Sequence, residues 1–155
     1  MIAGSPAVIG QRGKPFNSET EFQIGTNALK HIQYKHSHGS RFPHGATVLP
    51  EGINFSILSR GATRVELLLY ASHDSPEPFQ TIELDPEQNR TFIIWHILVE
   101  NLRAGVHYTW RLHGPQDRGQ CFDPANELLD PWATAVTDTL WDRWQDGSGH
   151  SARSM

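Results

Sequence analysis

Between Phe42 and Leu112 apolar and polar residues alternate in short runs, broken by turn residues at intervals of roughly 8 to 15 positions, the signature of an all-β sandwich. In Ile53-Asn54-Phe55-Ser56-Ile57 a strand places three large apolar side chains on one face and two small polar ones on the other. Val65, Leu67 and Leu69 repeat the pattern after the turn Arg60-Gly61-Ala62-Thr63, and the two runs are expected to pair as a hairpin. Gln80 to Leu84 reads as a short strand ending at Asp85-Pro86. Residues 91–99 are apolar at nearly every position and rich in β-branched and aromatic side chains, which predicts a central strand buried on both faces. The clearest alternation sets Val106, Tyr108, Trp110 and Leu112 against His107, Thr109, Arg111 and His113, four inward and four outward. About seven short antiparallel strands are expected in all.

The flanks differ in texture. Residues 1–40 are rich in Gly, Pro, Ser, Asn and His without a sustained apolar period and read as an N-terminal extension, irregular or partly helical and open to disorder. Ser18-Glu19-Thr20-Glu21 has capping-box spacing and would start a short helix running toward Ile32. The sandwich is assigned to residues 41–134, with a helical turn expected at Asn126 to Leu129, just before Asp130-Pro131. Residues 135–155 are set apart as a linker, and the polar tail from Gly147 to Met155 lacks any stopping pattern.

Composition narrows the partners. The net charge of -4 comes from 17 acidic and 13 basic residues scattered along the chain, so no basic stripe is available for nucleic acid or an anionic membrane. No apolar run has the length of a membrane span, and the opening residues show no targeting signal. One cysteine, Cys121, cannot form an internal disulfide, which fits a cytoplasmic protein; beside Phe122 it reads as a small buried or half-buried hydrophobe. His31, His36, His38 and His44 are loosely grouped, but their spacing matches no zinc pattern, and neither a metal nor another cofactor is expected.

Several separate segments carry a family resemblance. Phe42-Pro43-His44-Gly45-Ala46-Thr47, Gly52 to Arg60, Ala62 to Leu67, Trp95-His96, Leu102 to Gly105, Tyr108 to Pro115 and Phe122 to Ala133 resemble, in order and interval, the opening of isoamylases and bacterial glycogen debranching enzymes. The likeness covers roughly residues 41 to 155; the first 40 match nothing in it, and Trp132 stands where the family more usually has tyrosine. It implies an immunoglobulin-like domain, related to glycogen- and starch-binding modules, in front of an α-amylase-type (β/α)8 barrel that hydrolyses α-1,6 branches. The family's catalytic carboxylates belong to that barrel, so no catalytic residue carries over to this chain. The implied function is the N-terminal module of a glycogen debranching enzyme, inactive as a hydrolase alone. The alternatives are an autonomous α-glucan-binding module that recruits a separately encoded enzyme, or a truncated reading frame.

The chain's own acids agree with an inactive module. Glycoside hydrolysis needs two carboxyl groups about 5 to 9.5 Å apart across the scissile bond. The acids here sit mostly at turns and strand ends, where solvated acids normally sit, and a barrel-type cleft needs more than about 200 residues. Binding of glycogen or amylopectin, or docking on the barrel, would instead use exposed rings and polar neighbours. On that reasoning Trp95, Arg111, His113, Trp132 and Trp141 are the candidate carbohydrate-binding or interdomain residues, whereas Trp110, on the inward face of its strand, belongs to the core.

Overall fold

The computed structural model describes residues 33–117, 119–137 and 153–155. Among them are ten strands: β1 (His36–Ser37), β2 (Gly45–Leu49), β3 (Gly52–Leu58), β4 (Arg64–Tyr70), β5 (Gln80–Glu83), β6 (Arg90–Thr91), β7 (Ile94–Glu100), β8 (His107–His113), β9 (Val136–Thr137) and β10 (Arg153–Ser154). All pairings are antiparallel. One sheet runs β1-β7-β3-β2, with β6 beside β1 on the same edge of β7, and the other runs β5-β4-β8-β10-β9. This is the expected immunoglobulin-like sandwich, but with ten strands among the described residues where about seven were expected, because the two-residue pairings of β1, β6, β9 and β10 are too short to leave an alternating pattern.

The two inner faces supply the core. Ile53, Phe55, Ile57, Trp95, Ile97 and Val99 from the first sheet meet Val65, Leu67, Leu69, Ile82, Tyr108, Trp110 and Leu112 from the second. Phe55 stands at its centre, edge-on to Tyr108 with ring centroids 4.9 Å apart and to Trp110 at 6.5 Å. Edge-to-face contacts of this kind add to the area each ring buries.

The structure changes several expectations. β3 and β4 do not form a hairpin: β3 pairs with β2 and β7, while β4 pairs with β5 and β8 in the opposite sheet. Residues 59–63 arch across the core because their ends are captured by different sheets, the Ser59 N–H donating to the Ile93 carbonyl at 2.7 Å and the Thr63 N–H to that of His113 at 2.8 Å. The apolar run after Thr91 is not one strand, since Phe92, at φ 58°, turns the chain between β6 and β7. From Ile94 onward the expectation stands, and β7 lies in the interior of its sheet.

Asn126 to Leu129 contains no helical turn. Asp123 bends the chain by accepting hydrogen bonds from the Ala125 N–H (3.0 Å) and the Asn126 side-chain amide (2.7 Å), and Leu128 then exchanges both backbone hydrogen bonds with Trp110. Cys121 is exposed rather than buried. β1 falls within the segment assigned to the extension, and β9 and β10 within the one assigned to the linker. The proposed helix at 18–32, His31 and Trp141 lie outside the described residues.

Candidate functional site

The alternation in β8 predicts which side chains leave the core, but the outer face of its sheet is not simply solvated. Glu66, Thr109 and His107 are all buried there. Glu127 reaches over this face and accepts hydrogen bonds from the Tyr70 hydroxyl at 2.7 Å and the Thr109 hydroxyl at 2.8 Å. Burial and the neighbouring Glu127 carboxylate push the Tyr70 phenol well above the usual tyrosine range, so it stays a proton donor.

Arg111 and His113 are brought together on this face. Arg111 donates to Glu66 at 3.3 Å and lies 3.5 Å from Glu127, while His113 Nε2 lies 3.6 Å from Glu66. Arg64 also pairs with Glu66 and reaches Glu83 at 2.9 Å. Nearby, the buried Arg153 lays its guanidinium 3.4 Å from the Tyr70 ring centroid and donates to the carbonyls of Ser72 and Ser75. Arg111 and His113 thus face carboxylates of their own domain, and Arg111 ties the 127 segment to the sheet as Arg153 ties the strand-end loop.

Trp95 has no solvent exposure. It lies in the core with the Arg90 guanidinium 5.1 Å from its ring centroid, so the ring presents no face to a ligand. Trp132 is the opposite case, 44% exposed although its backbone is held firmly. Asp130, itself buried, accepts the Trp132 N–H at 2.8 Å through Oδ1, and the Tyr108 hydroxyl (3.0 Å) and Trp110 indole N–H (3.2 Å) through Oδ2. Its own N–H donates to the Ser154 hydroxyl at 2.8 Å. One carboxylate therefore couples two core rings to an exposed one.

The Trp132 ring does not stand alone. His44 lies 4.8 Å from it at an interplanar angle of 42°, and Phe42, 55% exposed, lies 5.1 Å from His44 at 58°. The Arg41 guanidinium sits 5.5 Å from the Phe42 ring centroid. His44 Nδ1 is fixed 3.2 Å from the Ser56 hydroxyl, which itself donates to the Arg41 carbonyl at 2.8 Å. Gly45 allows the approach: at φ 85° it adopts a backbone conformation that side chains resist, and a Cβ there would lie 2.8 Å from the Trp132 carbonyl oxygen. Three rings from positions nearly ninety residues apart thus form an exposed aromatic ledge with a rigid footing.

Sequence reasoning singled out Trp132 but missed Phe42 and His44 as its companions. The spacing Asp130-Pro131-Trp132 held a local signal, because an aspartate commonly accepts the backbone N–H two residues on. Nothing local announced the meeting with residues 42–45. Among the described residues no group of three or more His, Cys, Asp or Glu is placed to hold a metal, and no helix is long and apolar enough to cross a membrane.

Comparison with known proteins places this geometry in a family. Residues 43–133 match the model of carbohydrate-binding module 48, the isoamylase N-terminal domain. Isoamylase 3, chloroplastic, of Oryza sativa subsp. japonica is 36% identical over 135 residues, which cover 82% of this chain and 17% of that protein. The glycogen debranching enzyme of Salmonella typhi is 35% identical over 114 residues, covering 72% of this chain and 16% of the relative. The chain therefore spans only about a sixth of the length of these curated relatives. Among solved structures, the apo pullulanase of Paenibacillus barengoltzii superposes with a TM-score of 0.53 at 18% identity, over 76% of this chain and 15% of the pullulanase, a likeness of fold. The Group B Streptococcus pullulanase SAP gives 0.52 at 20% identity, over 72% and 14%.

Proposed function

Since the chain belongs to the carbohydrate-binding module 48 family, the isoamylase N-terminal domain, we propose that it is the non-catalytic N-terminal module of an isoamylase-type glycogen debranching enzyme. In this reading the hydrolysis of α-1,6 branches in glycogen or amylopectin is performed by an α-amylase-type barrel, and the module docks on that barrel and keeps α-glucan near it. The aromatic ledge is the docking face. Its carrying observation is the pairing of exposure with rigidity at Trp132: an apolar ring left uncovered while a buried carboxylate locks its backbone. The tilts of 42° and 58° between successive rings favour a protein partner over sugar, because a corrugated ridge suits interdigitating side chains better than flat pyranose faces.

A reducing compartment, the cytoplasm, belongs to the same proposal and is supported by the single free thiol of Cys121. The net charge of -4 argues against nucleic acid and anionic membranes as partners.

The test uses the pure 155-residue chain. It should release no reducing ends from amylopectin, yet be retarded in native gels that contain glycogen; turnover by the pure chain, or unretarded migration, overturns the reading. Mixed with the separately produced barrel portion of an isoamylase relative, it should co-elute on size exclusion. The double variant Phe42→Ala/Trp132→Ala should elute apart from the barrel yet still be retarded by glycogen; loss of retardation would make the ledge the glucan surface instead.

A further inference from the structure

A cleft of about 470 Å³ opens at the end of the sandwich, between the 59–63 arch and the segment from Gln120 to Leu128. It shares no residue with the aromatic ledge. We propose that this cleft is a binding subsite for a short stretch of α-glucan, holding two or three glucosyl rings. The ligand class rests on the functional reading above; the place and the residues rest on the cleft itself.

Its walls are preformed. Leu128 is fixed by the two backbone hydrogen bonds that it exchanges with Trp110, at 2.7 and 2.9 Å. The Phe122 carbonyl accepts the Gln116 side-chain amide at 2.8 Å, and the Phe122 ring packs so close to Gly114 that a Cβ there would meet it at 2.5 Å. On the facing side, the Gln120 amide lies equally close to the position a Cβ would take on Gly61. Binding therefore orders little that is not already ordered, which removes much of the entropic cost of association.

The chemistry of the lining alternates. Leu58 and Leu128 remain 43% and 42% exposed and leave aliphatic surface uncovered in the lining, to which Phe122 and Leu112 also contribute. Around them stand Arg60, Asp123 and Asn126. A pyranose ring has apolar C–H faces and a rim of hydroxyls, so it asks for apolar walls with planar polar groups beside them. The Asp123 carboxylate uses two of its roughly four acceptor sites within its own turn, and the Arg60 guanidinium presents up to about five donors in a fork that suits adjacent hydroxyls. One cation and one anion on the rim balance, which favours a neutral polyhydroxyl ligand over a phosphate or a metal ion. The volume lies within the range of small-ligand sites and suits a di- or trisaccharide.

The chain carries its own reporter. Its one cysteine, Cys121, is exposed and lines this cleft. In the full chain, saturating maltotriose should slow the reaction of Cys121 with Ellman's reagent at least fivefold, whereas β-linked cellotriose should not. Arg60→Ala combined with Asn126→Ala, both at exposed positions, should remove the protection while lowering the melting temperature no further than loss of the Asn126–Asp123 hydrogen bond does, and Arg60→Ala alone should weaken it at an unchanged melting temperature; Trp132→Ala should leave it intact. An unchanged Cys121 rate in maltotriose overturns the proposal, as does protection that survives in the double variant. If glycogen retards the chain in gels while maltotriose leaves the thiol unprotected, the subsite falls and the functional reading stands.

Discussion

Replacing Asp130 by alanine tests how far the exposed ledge and the core are one structure. The carboxylate accepts the Tyr108 hydroxyl at 3.0 Å and the Trp110 indole N–H at 3.2 Å, and both rings are fully buried. With the acceptor gone, each donor is left without a partner, at a cost of about 1–3 kcal/mol apiece. The Trp132 N–H belongs to a half-exposed residue that water can reach, so its loss adds little. The expected destabilisation is about 2–6 kcal/mol, and with a urea m-value of about 1–2 kcal/mol/M the unfolding midpoint should fall by about 1 M or more. Asp130→Asn should behave differently: an amide that turns its oxygen toward Tyr108 and Trp110 points its NH2 at the Trp132 N–H, donor against donor. Stability should then drop by only about 1 kcal/mol, while Trp132 loses its anchor. Urea titration followed by tryptophan fluorescence measures both. A midpoint shift below about 0.5 M for Asp130→Ala, or equal shifts for the two variants, would refute the coupling.

Other expectations follow from the same contacts. Gly45→Ala forces a side chain into φ 85° and against the Trp132 carbonyl, so it should cost more than the roughly 1 kcal/mol of left-handed strain alone, read as a lowered melting temperature. Tyr70 and Tyr108 both have phenols pushed far above the ordinary range, by burial first and then by Glu127 and Asp130 respectively. Because the folded state holds these protons more tightly, stability is full below about pH 10 and falls as pH rises further. Their tyrosinate absorbance at 295 nm should therefore appear together with loss of β-sheet circular dichroism and not before it. Burial holds His107 below the usual histidine range, helped by the neighbouring His73 and Arg153, so the unfolded chain binds its proton more readily. That contribution is full above about pH 6.5 and is lost as pH falls. His107→Leu, which also removes a buried Nδ1 without a partner among the described residues, should flatten the stability profile between pH 6.5 and 5 without loss at neutral pH.

Much of the sandwich was legible because alternation reports which face of a strand is buried. The inward sets of β3, β4 and β8 all lie in the core as their period indicates. Alternation does not report the partner, however, so β3 and β4 look like a hairpin until Ser59 and Thr63 are seen bound to opposite sheets. Nor does polarity report exposure: Glu66 and Thr109 alternate as solvent-facing residues should, yet are buried because Glu127 and Arg111 cover and satisfy them. The candidate site was less legible still. Trp95 and Trp132 are the same residue type, and only tertiary context separates a ring sealed in the core from one held out on a ledge. The end cleft, assembled from an arch and a distant loop, left no periodic trace at all.

The position of β10 makes the chain's last residues mechanically important. Arg153 and Ser154 lie between β8 and β9, with Ser154 opposite Tyr108 and its hydroxyl bonded to the Asp130 N–H. A pull applied at Met155, whether by a tag, a surface tether or any attached polypeptide, is borne first by the two backbone hydrogen bonds that Met155 exchanges with Ala135 and by a strand of two residues. Until that strand peels away, part of the load passes through the Ser154 hydroxyl to the Asp130 N–H, and so to the residue whose carboxylate holds Trp132 on one side and the core rings on the other. The same carboxylate that steadies the ledge thus makes it a strain gauge for whatever is attached at residue 155.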